Sequence, residues 1–209
     1  MGLKKASDSP VGLRQVEDRE YPRDTDGLVA QLADADANVR RWAARDLAAH
    51  PQAAAVVCAR VAVETDASVR AVLFSTAAAL GGPVVVQGMV ELLRSEDPGV
   101  RNGAIEMLAS APDAVAPHID RLLQDADSDV RIFTVNLLGD LRHPSVPRWL
   151  AQVLHTEEQV NVVGAALEVL AEVGGPEALP ALKAARRRFA ADPYIGFSVD
   201  LAVERIESA

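Results

Sequence analysis

The stretch from Leu32 to Leu47, LADADANVRRWAARDL, returns along the chain as VAVETDASVRAVLFSTA, LLRSEDPGVRNGAIEML and LLQDADSDVRIFTVNLL. The Val-Arg pairs of these copies end at Arg40, Arg70, Arg101 and Arg131, a spacing of 30, 31 and 30 residues. Self-similarity at such a period is the signature of an array in which each unit buries its apolar face against the next. A single closed core is therefore the wrong frame for this chain. Two weaker copies follow, one with Val160 before Asn161 and one with Ile195 before Gly196.

Each unit reads as two helices. In the third, Met89, Leu92 and Leu93 mark the first helix, and Val100, Ala104 and Leu108 mark the second. These are the three- and four-residue returns of one helical face. An acidic turn joins the two, and Asp36, Asp66, Asp97, Asp127 and Asp192 each stand three residues before the apolar Val or Ile, where a short carboxylate serves as an N-cap. Pro51, Pro83, Pro112, Pro144 and Pro176 punctuate the chain between units, because proline cannot continue a helix interior.

The D-x-x-V-R turn leading into an alanine-rich helix resembles HEAT repeats, in particular the short variant named after the phycobilisome lyases. The resemblance covers residues 26–207. It implies an all-α fold, an α-solenoid in which about six antiparallel helix pairs form a right-handed superhelix. It also implies a hydrogen-bonded ladder of turn Asp and helix Arg, carried here by Asp36, Asp66, Asp97 and Asp127 with Arg40, Arg70, Arg101 and Arg131. Asn161 and Gly196 depart from the pattern, so the ladder is expected to end near the fourth unit. Its role is structural, since a catalytic dyad would not be copied along one chain.

Residues 1–25 read as a polar N-terminal tail or as a partial cap over the first unit through Val11, Leu13, Val16 and Tyr21. At the other end, SVDLAVERIES has the narrow apolar face of a capping helix.

Composition narrows the function. The chain carries a formal net charge of −9, which argues against nucleic acid, whose binding rests on Lys and Arg neutralising phosphates. Residues 1–24 hold five basic and five acidic side chains, so the negative charge belongs to the repeats. No apolar stretch has the roughly 18 residues of a membrane span, and the first residues lack a secretory pattern. A cytoplasmic protein with no membrane partner is the expectation.

Candidate chemistry is sparse. With Cys58 the sole cysteine, no intramolecular disulfide forms, and Cys58 itself sits on an apolar helix face as packing. His50, His118, His143 and His155 are neither paired at four-residue spacing nor followed by glutamate. They therefore lack the repeated His-Glu pairs by which HEAT-repeat hydroxylases hold iron, and no metal and no cofactor are expected. Gly81-Gly82 and Gly174-Gly175 precede proline and read as helix stops rather than phosphate loops. The run Arg186-Arg187-Arg188 reads first as a solvated face.

Residues that the repeat does not need carry the functional expectation. Positions one, two, five and nine after the motif arginine face away from the first helices, and in this superhelix family that side lines the concave surface. They are Arg41, Trp42 and Arg45; Val72 and Ser75; Asn102 and Glu106; Ile132, Phe133, Asn136 and Asp140; and, in the fifth unit, Val162 and Val163. Apolar side chains rimmed by polar ones mark an interaction surface, and aromatics with arginine are favoured anchors. The sequence thus points to a non-enzymatic scaffold or adaptor that binds a protein or peptide in a concave groove. Helices about 8–10 Å apart would give a groove on the order of 50 Å. A bilin lyase or chaperone is the alternative that the resemblance implies. Self-association through the same stripe would make a homo-oligomer.

Overall fold

The computed structural model describes residues 22–208. Among them, twelve α-helices follow one another as six pairs: α1 (Thr25–Gln31) with α2 (Ala37–Asp46), α3 (Ala54–Val63) with α4 (Ala67–Leu80), α5 (Gly82–Leu92) with α6 (Pro98–Ala109), α7 (Pro112–Leu122) with α8 (Ser128–Asp140), α9 (Val146–Thr156) with α10 (Val160–Val173), and α11 (Leu179–Arg188) with α12 (Pro193–Ser208). No strand occurs among the described residues. The reading of residues 1–21 as tail or cap lies outside them.

The helices form two layers. First helices pack on first helices, as α3 on α5, α5 on α7 and α9 on α11, and second helices pack on second helices from α2 to α12. Between the layers lies one elongated core. Position three after the motif arginine is buried in every unit, as Ala43, Leu73, Ala104, Thr134, Ala166 and Val199. Position seven adds Leu47, Ala77, Leu108, Leu138 and Leu170. Truncating one of these leucines to alanine typically costs about 2–5 kcal/mol, and each loss is felt mainly by neighbouring units because the array is quasi-one-dimensional.

The caps stand where the sequence places them. Asp36 accepts from the Asn38 N–H, Asp66 from Ser68 and Val69, Asp97 from Gly99 and Val100, Asp127 from Asp129, and Asp192 from Tyr194 and Ile195. Each satisfies donors that the first turn of a helix leaves open. Between α4 and α5, Gly81 and Gly82 have φ of 59° and 81°, a left-handed conformation that a side chain would disfavour, so the stop before Pro83 requires glycine.

The fifth unit departs from its expected register. The cap of α10 is Gln159, so the residue four beyond the cap, where the other units hold Arg40, Arg70, Arg101 and Arg131, is Val163 and not Asn161. Val162 and Val163 are each 0% exposed. The expectation that Val163 lines an open face is thereby overturned. The caps Asp127 and Gln159 stand 32 residues apart where the preceding caps stand 30, 31 and 30 apart, and counting a fixed period of 30 places the motif two residues early.

Candidate interaction surface

The motif arginines form a ladder, but with partners other than those the resemblance implies. Arg40 donates from Nε and Nη2 to both carboxylate oxygens of Glu64 at 2.9 and 2.8 Å. Its Nη1 reaches back to the carbonyls of Asp34 and Ala35. Arg131 repeats this arrangement with Glu157 at 2.7 and 3.1 Å and with the carbonyls of Asp125 and Ala126. The acceptor is thus the residue two before the cap of the following unit, not the cap itself. Asp36, Asp66 and Asp127 serve as caps, and only Asp97 takes a motif arginine, Arg70 at 2.5 Å, because Ser95 stands where the first, second, fourth and fifth units place a carboxylate. Among the described residues, Arg101 has no carboxylate partner, and its Nη1 reaches back to the Ser95 carbonyl at 2.8 Å. Its guanidinium lies 4.2 Å above the Phe133 ring, while Asp125, the acceptor the pattern would assign to it, is held by Arg94.

Burial raises the energetic weight of these rungs. The Glu64 side chain is fully buried, and burial by itself pushes its pKa up. Hydrogen bonds from Arg40, Arg60 and the Asp66 N–H outweigh that effect and bring it from 4.5 down to about 2. Glu157 is held below the ordinary carboxylate range by the same balance, with Arg131 as the dominant opposing contact. These groups are fully engaged in joining units and are not available for chemistry on a ligand.

The exposed side of the second-helix layer is a different surface. Position five after the motif residue is exposed in every unit: Arg45, Ser75, Glu106, Asn136, Glu168 and Leu201. Position nine is exposed as well, with Asp140, Glu172 and Arg205 in the last three units. Position two is half-buried throughout, so Trp42, Val72 and Phe133 present one edge and pack with the other, as Phe133 does beneath Arg101. Among position-one residues, Arg41 and Ile132 are half-buried, and Arg41 reaches Ser68 of the next unit at 3.4 Å; Asn102 is exposed. The line is basic at its start, with Arg41 and Arg45, and acidic in its middle, with Glu106, Asp140, Glu168 and Glu172.

In its correct register the line extends onto α12, which the sequence reading missed. Tyr194 and Leu201 are exposed there. The Tyr194 ring lies on Gly164, where a Cβ would come within 2.8 Å of it, and its hydroxyl meets Glu168 at 3.3 Å. Counting position five onto the Ile195-Gly196 copy would have found Leu201, and aligning the fifth unit on its buried positions three and seven would have found Glu168.

Cys58 is buried against Gly88 between α3 and α5, and burial pushes its thiol pKa up. Thr25 meets His50 at 2.8 Å, and His143 stacks on Trp149. Among the described residues, no three His, Cys, Asp or Glu side chains are grouped to hold a metal ion, and no helix is long and apolar enough to cross a membrane.

The family described as HEAT repeats matches residues 25–110 and 115–192. Solved structures with similar chains include human deoxyhypusine hydroxylase, at 21% identity over 90% of this chain and 75% of the other with a TM-score of 0.47. An engineered protein matches at 21% identity over 88% of this chain and 97% of the other, with a TM-score of 0.40. The CpcE and CpcF complex of phycocyanin lyase from a Nostoc species matches at 18% identity over 97% and 100%, with a TM-score of 0.35. A comparison with curated proteins finds no match.

Proposed function

The chain belongs to the HEAT-repeat family, and from that premise we propose that it is a non-enzymatic adaptor whose second-helix face binds an extended segment or a helix of a partner protein. The observation that carries this reading is the unbroken exposed line from Arg45 through Ser75, Glu106, Asn136 and Glu168 to Leu201. None of these side chains is buried in packing, whereas the motif arginines beside them are engaged within the array. Arginine and half-buried aromatics, here Arg41, Arg45, Trp42 and Phe133, are the residue types that anchor interfaces, with polar neighbours forming the rim. The acidic middle of the line favours a basic or neutral protein segment over nucleic acid.

Affinity capture from the source extract, with the wild type beside a face variant, tests the proposal. The face variant combines Arg45→Glu, Glu168→Lys and Leu201→Ser, all at exposed positions, and helical circular dichroism monitors its fold. A control variant carries Val56→Ser and Val84→Ser on the first-helix layer, where both valines are exposed. Loss of the captured protein from the face variant alone supports the proposal. Loss from the control alone would move the binding surface to the opposite layer.

A further inference from the structure

The sixth unit holds glycine where the ladder requires a long side chain. Gly196 stands four residues after the cap Asp192, the place of Arg40 in the first unit. With no side chain there, a cleft opens between α11 and α12, lined by Arg186, Phe189, Pro193, Gly196, Phe197 and Asp200. Arg186 lies across it and donates from Nη1 to the Gly196 carbonyl and to Asp200, each at 2.6 Å. Beside the cleft, Phe197 is 68% exposed, more than any other large apolar side chain among the described residues. Its equivalent in the first unit, Arg41, reaches forward to the next unit. Phe197 therefore occupies a stacking position, and none of the described residues covers its ring. An outer face of an array is ordinarily polar, and an aromatic beside an open cleft is the reverse of that.

We propose that this face is covered by the same face of a second copy of the chain, the two meeting tail to tail about a twofold axis. Charge selects this occupant. Residues 174–209 carry five basic and five acidic side chains, as evenly balanced as residues 1–24, so the whole net charge of −9 falls on residues 25–173. Two copies that approach through the middle of the array meet like charge, and two that approach through the sixth unit do not. The patch is also self-complementary. An isologous interface sets residue i against residue j and residue j against residue i. Arg186 and Asp200, paired at 2.6 Å beside Phe197, satisfy that condition: two such pairs set antiparallel about the axis bring Arg186 of each copy to Asp200 of the other, with the Phe197 rings packed at their edge. Of the adaptor line, Arg45 to Glu168 stays open in such a dimer and only Leu201, one turn beyond Phe197 on α12, lies beside the covered face, so the mass measurement below tests this inference apart from partner capture.

Sedimentation equilibrium across a wide range of concentration tests it. The wild type should pass from the mass of one chain to that of two as concentration rises, and Phe197→Ser should remain at one. Arg186→Asp and Asp200→Arg should each remain monomeric alone, because each sets like charges against one another across the axis. Mixed in equal amounts, these two variants should form a heterodimer, since both cross-axis pairs are then restored between different chains while each intramolecular pair stays broken. A wild type that keeps the mass of one chain throughout overturns the proposal. So does dimerisation of Phe197→Ser or of either charge variant at the wild-type level, and so does a mixture that stays monomeric.

Discussion

The junction between the first and second units and the junction between the third and fourth start from the same Val-Arg motif and end with different physics. At the first, Arg40 is nearly buried and grips a fully buried Glu64, which Arg60 also holds. At the other, among the described residues, Arg101 finds no carboxylate, its buried Nε has no hydrogen-bond partner, and its guanidinium rests on Phe133. An identical arginine thus forms a fork-to-fork ion pair in one place and a cation–π contact in another. The deciding residue is not in the motif. It lies two before the next cap, where Glu64 accepts from Arg40 and Arg60 together while Asp125 pairs with Arg94 and not with Arg101.

The largest expected effect comes from breaking the first junction. Glu64→Ala leaves Arg40 buried without its counter-charge and should destabilise the protein by about 3–5 kcal/mol, read from urea denaturation. A cost below about 1 kcal/mol would show that the rung contributes no more than a surface pair. The pH dependence follows from the same residue. Glu64 has a folded pKa of about 2, below its ordinary 4.5, so its stabilisation is complete above about 4.5 and is lost as pH falls towards 2. The stability gap between wild type and Glu64→Gln should close over that window, and a constant gap would contradict the assignment.

At the third junction, Phe133→Ala removes both the cation–π contact and half-buried aromatic packing and should cost about 2 kcal/mol. Phe133→Leu, which keeps the packing, should recover most of that. Full recovery would mean that the guanidinium contact contributes nothing. The comparison can be sharpened by transplanting the first junction onto the second. Ser95→Glu supplies Arg70 with the acceptor that Glu64 gives Arg40, and it should stabilise by about 1 kcal/mol. The smallest effect is expected from Arg70→Ala, whose partner Asp97 is half-exposed, and its denaturation midpoint should shift least of the four.

The repeat, the helix pairs and the caps were legible in the sequence because each depends on local chemistry. A short carboxylate at a turn, three residues before an apolar Val or Ile, starts a helix by local hydrogen bonding, and Asp36, Asp66, Asp97, Asp127 and Asp192 all cap as expected. The ladder was legible as a set of donors but not of acceptors. Which oxygen an arginine reaches depends on side-chain competition across a junction, and the spacing of one motif does not encode that competition. The open face was legible in part. Arg45, Ser75, Glu106, Asn136 and Asp140 are exposed, while Val163 is buried because the cap of α10 stands 32 residues after that of α8, two more than the fixed count. That shift hid Glu168 and Glu172, although the apolar spacing from Ala166 to Leu170 records it, whereas Leu201 follows from the Ile195-Gly196 copy by the same count of five.

By itself the sequence determined a two-layer stack of helix pairs, since periodic burial and capping are properties of a segment some 30 residues long. It also determined that the stack is acidic, because charge is a sum over residues and needs no geometry. Tertiary structure alone decided which acidic groups are consumed in holding units together and which remain on the surface. Glu64 and Asp125 lie in junctions while Glu106 and Glu168 face outward, a distinction set by the register of one unit on the next. It decided as well that Gly196 opens a cleft beside Phe197, because a missing side chain becomes a cavity only where neighbouring helices cannot close over it.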